Sequence, residues 1–160
     1  MELNISWWPP FRLCDGSAHD LIYMLEGQSS LEDLEEIPGV YIFARRYKDV
    51  TIPLYVGKSN NLEVRIELQI EKNVKLMKGI QNAARGERIL LVGELLTKPG
   101  QQVDKALRII ESTLIEHCLA EGYDILNKQG TKRPVHQIRF TENRVATQLT
   151  GRLMKVRKSR

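Results

Sequence analysis

Ile37-Pro38-Gly39-Val40-Tyr41-Ile42-Phe43 and, a short polar interval later, Leu54-Tyr55-Val56-Gly57-Lys58-Ser59 decide how this chain is read. Val40 to Phe43 are β-forming residues, and Pro38-Gly39 marks the point where a strand begins. Residues 47–51 read as a hairpin connection. A second strand runs from Ile52 to Val56, with Pro53 near its start, where a missing N–H matters least. Two strands this close in sequence pair antiparallel.

Working outward from the hairpin, Asn60 and Asn61 punctuate the end of the second strand and are suited to cap a helix directly after it. Leu62, Val64, Ile66, Leu68 and Ile70 alternate as in a strand, yet Glu63, Glu67 and Glu71 stand four apart on one helical face. The expectation is a helix from about 61 to 78, with a shorter one at 80–86. Residues 88–96 are rich in branched apolar side chains and strand-like, and Pro99-Gly100 is a turn signal. Val103 to Ala120 is the clearest helix, with Ala106, Leu107, Ile110, Leu114, Ile115 and Cys118 on one stripe and Gly122 at its end. Residues 123–127 read as a short extended piece, Val135 to Phe140 as a strand, and 142–156 as a basic helix. On the other side, the prolines make Trp7-Trp8-Pro9-Pro10-Phe11 extended. Residues 18–26 read as a short helix capped by Ser17, and Ser30 starts another. The order of elements predicts a small α+β domain, an antiparallel sheet flanked by helices.

One domain fits 160 residues, and 42% apolar content suffices for one modest core. No run of about 18 apolar residues is present, so no membrane span is expected. No basic-then-apolar leader opens the chain, so an intracellular, cytoplasmic protein is expected. Cys14 and Cys118 fit no zinc spacing and read as reduced thiols. Charge is unevenly spread. Residues 1–36 hold eight acids and one base, 37–127 thirteen bases and eleven acids, and 128–160 ten bases and one acid. This divides the chain into an acidic N-terminal extension (1–36), a central domain (37–127) and a basic C-terminal extension (128–160). The last has the electrostatic footprint of a polyanion binder, or is a solvated tail.

Gly39-Val40-Tyr41, then Tyr55-Val56-Gly57-Lys58, Asn61-Leu62 and Arg65, followed by Glu111 on a later helix and by Asn127, resembles the GIY-YIG family of nucleases. It is especially similar to the module at the N-terminus of the bacterial excision-repair nuclease subunit. Val40 and Val56 stand where the family's name motifs carry isoleucine. The resemblance covers about residues 37–127. A lone Gly-X-Tyr or Tyr-X-Gly triplet says little; both together, with the lysine, the arginine, the carboxylate and the asparagine in order, say much more.

The resemblance implies a metal-dependent endonuclease acting on DNA. Phosphodiester hydrolysis needs an attacking oxygen, a neutralised phosphate and a stabilised leaving group. Glu111 is the implied ligand of Mg²⁺ (or Mn²⁺), which keeps much of its hydration shell. Glu116 is the competing carboxylate. Arg65 would contact the scissile phosphate. Of the phenols Tyr41 and Tyr55, one, in the first place Tyr41, would help to activate water, which requires nearby positive charge because only an ionised phenol accepts that proton. Lys58 would supply charge or bind phosphate, Gly57 would let backbone approach the substrate, and Asn127 would hold the site together. Lys128, Lys132 and Arg133 are candidate phosphate contacts in a loop. Many family members carry a histidine where this chain has Gln69, and His19, His117 and His136 fall on no family position.

Two other readings stay open. One is a nucleic-acid-binding module of the same fold that does not cleave. The other is a DNA-repair subunit acting with a protein partner docked on Trp7, Trp8 and Phe11, residues that would otherwise cap the core. Cutting both strands would require two sites and hence a homodimer. RNA as substrate, and a role in restriction, repair or element mobility, stay open as well.

Overall fold

A computed structural model describes residues 2–17, 20–26, 30–127, 135–139 and 153–157. Three strands precede the hairpin: β1 (Ile5–Trp7), β2 (Phe11–Ser17) and β3 (Asp20–Glu26). The hairpin is β4 (Gly39–Tyr47) and β5 (Val50–Ser59), followed by α1 (Leu62–Lys72), α2 (Val74–Gln81), β6 (Glu87–Leu95) and α3 (Val103–Ala120). β7 (Val135–Arg139) and β8 (Leu153–Arg157) pair with each other as a separate antiparallel ribbon. The class is α+β.

The main sheet is antiparallel, in the order β3-β2-β6-β4-β5, with β1 beside β2 on the flank of β6. β6 is central, and β5 is an edge. Residues 5–17 are thus part of the same sheet as the hairpin. Pro9-Pro10 separates β1 from β2, yet the Trp8 amide still donates to the Val92 carbonyl at 2.8 Å. Of the N-terminal aromatic residues, Phe11 is in the core, Trp8 packs against it, and Trp7 is 51% exposed.

Both faces of the sheet are covered, so the central strands are apolar on both sides rather than alternating. Tyr41, Phe43, Leu90 and Val92 pack under α1 and α2 with Leu62, Ile66, Leu76 and Ile80. Ile42, Ala44, Val56 and Ile89 pack with Cys118 and Leu114 of α3, and Leu95 packs with Ala106 and Leu107. Each fully buried leucine or isoleucine contributes about 1.5–3 kcal/mol. Cys118 is a free, buried thiol, and the Cys14 side chain lies outside the described set.

α3 runs over the residues its stripe predicts. It ends in a paired cap: Tyr123 N–H donates to Cys118 O and Gly122 N–H to Leu119 O, with Gly122 at φ 85°. Four expectations change. Residues 20–26 form strand β3, not a helix, because each residue from Arg12 to Asp15 finds a ladder partner there; pairing overrides local propensity. The helix expected over 61–78 is two helices, broken at Asn73, whose side chain caps the second by accepting from Leu76 N–H. No helix spans 80–86, since α2 ends at Gln81 and residues 82–86 turn back into β6. Residues 153–156, expected in a basic helix, belong to β8, and the rest of 142–152 lies outside the described residues.

Arg88 fastens the turn after α2. Its guanidinium donates to the carbonyls of Ile80, Ala83, Ala84 and Gly86 at 2.7–2.9 Å, and to Gln81 at 3.4 Å. One side chain so gathers carbonyls from the end of α2 and from the turn that follows it. Among the described residues no helix is long and apolar enough to cross a membrane.

Candidate active site at the edge of the sheet

The hairpin register sets Tyr41 opposite Gly57 and Phe43 opposite Tyr55. Strand alternation turns Tyr41, Tyr55 and Gly57 toward the α1 layer and Lys58, paired with Val40, toward the α3 layer. Because β5 is the edge strand, groups from the two layers can meet around it. Arg65 comes from α1 and Glu111 from α3.

Tyr41 is fully buried and lies across Gly57: a Cβ there would overlap the Cζ and hydroxyl of its ring. The glycine expected to admit substrate therefore admits the phenol ring first. Tyr55 stacks beside Tyr41, centroids 6.2 Å apart at 30°. Gln69, itself only 3% exposed, donates through Nε2 to the Tyr41 hydroxyl at 2.8 Å and to that of Tyr55 at 3.4 Å. Arg65 faces both hydroxyls, chiefly Tyr41, and this contact holds the guanidinium all the more firmly protonated.

Burial pushes the Tyr41 pKa above its ordinary value. The hydrogen bond from Gln69 and the charge of Arg65 pull the other way without prevailing, and Tyr55 adds to the rise. In the free protein Tyr41 is thus a neutral phenol at neutral pH, with the ionising groups it would need already arranged around it.

Glu111 is half-buried, and that burial raises its carboxyl pKa; Lys58 and Arg65 oppose the rise. One carboxylate in reach of two cations leaves net positive charge at this place, which favours an anion. Its oxygens, with water and phosphate, make a hard donor set that suits Mg²⁺, so the residues present fit the ion. Lys58 and Arg65 nearby oppose the binding of any cation there. Among the described residues no three His, Cys, Asp or Glu side chains gather.

Asn127 lies on the edge of β5, donating to Val56 O at 2.6 Å and accepting from Val56 N–H at 3.2 Å. The Leu126 amide donates to Leu54 O at 2.7 Å beside it. Asn60 donates to Asp104 Oδ1 at 2.6 Å, tying the end of β5 to the start of α3. These bonds fix how α3 sits against the hairpin and so where Glu111 stands.

Tyr41, Tyr55, Arg65, Lys58 and Glu111 are thus brought together, and Asn127 braces the strand beneath them. Lys128, Lys132 and Arg133 lie outside the described residues. The sequence reading marked Gln69 only as a departure, whereas it is the hub of the phenol pair; its place four residues after Arg65, on the same helical face, was the available signal. A second cluster went unnoticed at the far end of the hairpin. There Tyr47 is 40% exposed between Lys48 Nζ, 5.6 Å from its ring centroid, and Arg85 Cζ, 5.9 Å away. Arg45 donates to Arg85 O at 3.0 Å. No protein-family model, curated protein or solved structure matches the chain.

Proposed function

We propose that this protein is a metal-dependent endonuclease that hydrolyses DNA phosphodiester bonds through a GIY-YIG-type site. One observation supports this above the others: Arg65 faces both phenols while also sensing the Glu111 carboxylate from the opposite layer of the fold. The hairpin–helix–strand–helix order, β4 to α3, is the arrangement the resemblance implies.

In this reading the duplex backbone enters over the edge of β5. Arg65 bridges two oxygens of the scissile phosphate, and Lys58 adds a second charge from the other side. Tyr55, less buried than Tyr41, meets the attacking water or the phosphate, and Tyr41 backs it through Gln69. Glu111 would hold Mg²⁺ or Mn²⁺, and the bound ion supplies charge neutralisation and polarisation at the phosphate. Arg45, Lys48 and Arg85 around Tyr47 offer further phosphate contacts that position the duplex without reading its sequence.

The test is nicking of supercoiled plasmid with Mg²⁺ or Mn²⁺ by the wild type and by Glu111→Ala. The expected result is cleavage by the first and binding without cleavage by the second. Equal behaviour of the two proteins would leave a binding module instead.

A further inference from the structure

A chain of amide groups runs from the break between α1 and α2 into the phenol pair, and its direction can be worked out from one end. The Leu76 backbone N–H is a donor and nothing else. It donates to the Asn73 side chain at 3.1 Å, so the atom it meets is Oδ1. Asn73 Nδ2 must then point the other way, where it donates to Gln69 Oε1 at 2.7 Å. Gln69 therefore has Nε2 left for the phenols. Turning Gln69 over would set two N–H₂ groups against each other. Turning both amides would set Asn73 Nδ2 against Leu76 N–H. A helix cap thus fixes the polarity of an amide two links away.

The consequence falls on the phenolic protons. Gln69 Nε2 and Arg65 are both donors, and neither can accept from Tyr41. With Phe43 and Gly57 also against it, the one side-chain acceptor among these described neighbours of Tyr41 is the Tyr55 oxygen. Tyr55 in turn receives the other Gln69 hydrogen. The pair has two hydroxyl protons and at most one internal acceptor. Within this described set one proton is left to face away from Gln69 and Arg65, outward from the pair.

We infer that Asn73, whose side chain bonds to Gln69 and to the Leu76 amide, is a positioning residue: it locks the Gln69 amide so that the tyrosine pair presents a proton outward rather than to Gln69. For the rate arm below, this rests on the nuclease reading; for the spectroscopic arm it does not.

Asn73→Asp is the sharp test. Aspartate caps a helix as well as asparagine does, but its second oxygen opposes Gln69 Oε1. The amide should turn, bring Oε1 to the phenols and take up the outward proton. Expected in the full chain are a melting temperature near wild type, a displaced Tyr41 Cζ resonance in isotope-labelled protein (assigned with Tyr41→Phe), and a pH profile of nicking moved to higher pH. In a Gln69→Met background the same exchange at 73 should no longer move the Tyr41 signal. An Asn73→Asp protein that melts normally with an unmoved Tyr41 resonance would overturn the inference. Should Asn73→Asp melt early, Asn73→Ser takes its place: serine keeps a cap and a donor, so a wild-type Tyr41 resonance is expected and a displaced one overturns the lock. Failure of the wild type to nick would instead sink the nuclease reading and leave the spectroscopic result standing.

Discussion

Asn127 grips Val56 by both of its peptide groups, accepting from the amide and donating to the carbonyl through one side chain. A primary amide offers the same donor and acceptor as a peptide unit, so Asn127 completes the edge of β5 as a neighbouring strand would. An exposed strand edge is a template for unwanted pairing, and this one lies under Tyr55 and Lys58.

Asn127→Ala should therefore cost about 1–3 kcal/mol, the range for leaving a partly buried donor and acceptor unmatched. Asn127→Asp keeps the acceptor but sets a carboxylate against Val56 O, and should cost at least as much. Urea unfolding of both variants checks this, and an unchanged midpoint would contradict it.

Gly57→Ala leaves the strand backbone content but drives a methyl group into the Tyr41 ring. Overpacking of this kind costs about 1–3 kcal/mol, and the ring must leave Gln69 to relieve it. Nicking should fall by more than stability does, roughly tenfold or more at conditions where the variant is fully folded. Activity retained at the wild-type level would mean that the ring position is immaterial.

The Glu111 carboxyl has its pKa raised by burial. A group whose folded pKa lies above its unfolded value favours the folded state at low pH, and that contribution is lost as pH climbs through the folded pKa. Glu111→Gln removes the ionisation. Without divalent ions, its melting temperature relative to wild type should be higher at about pH 8 than at about pH 4. Thermal scans at both values decide it, and a difference of the opposite sign would show the cations to dominate over burial.

Arg88→Met keeps the aliphatic stem but loses every bond to the α2 terminus. The expected loss is about 3 kcal/mol by urea unfolding, since bonds from a charged donor contribute more than neutral ones. Arg88→Lys should recover little, because an ammonium cannot fork to carbonyls set this far apart.

Replacing Arg45, Lys48 and Arg85 together by glutamine in a Glu111→Gln background tests the surface around Tyr47. If these cations meet phosphates, the slope of log affinity against log salt should become shallower by roughly 2 to 3 units. An identical slope would exclude that face from the duplex path.

The hairpin and α3 were legible because local propensity and final packing agree there. Val40 to Phe43 are β-formers that end in a two-sided core, and the stripe on α3 packs as it reads. Residues 20–26 misled because a run of large apolar residues carries no period of its own, and only the register with β2 settles its form. Asn73 was invisible as a break since its effect depends on a cap bond that forms only when the chain turns. For the candidate site, residue identity pointed to the right neighbours, but two roles needed coordinates. Gly57, expected to let backbone approach substrate, also makes room for the Tyr41 ring. Gln69 was read as a missing histidine and instead joins both phenols. Neither contact has a sequence signature, because each is made across strands or between layers.

The chain leaves the described domain at Asn127, against the same strand that carries Tyr55 and Lys58. A binding unit grafted directly after Asn127 would therefore begin beside those two side chains, with no spacer needed. A weak affinity in such a graft would act there at a local concentration far above bulk.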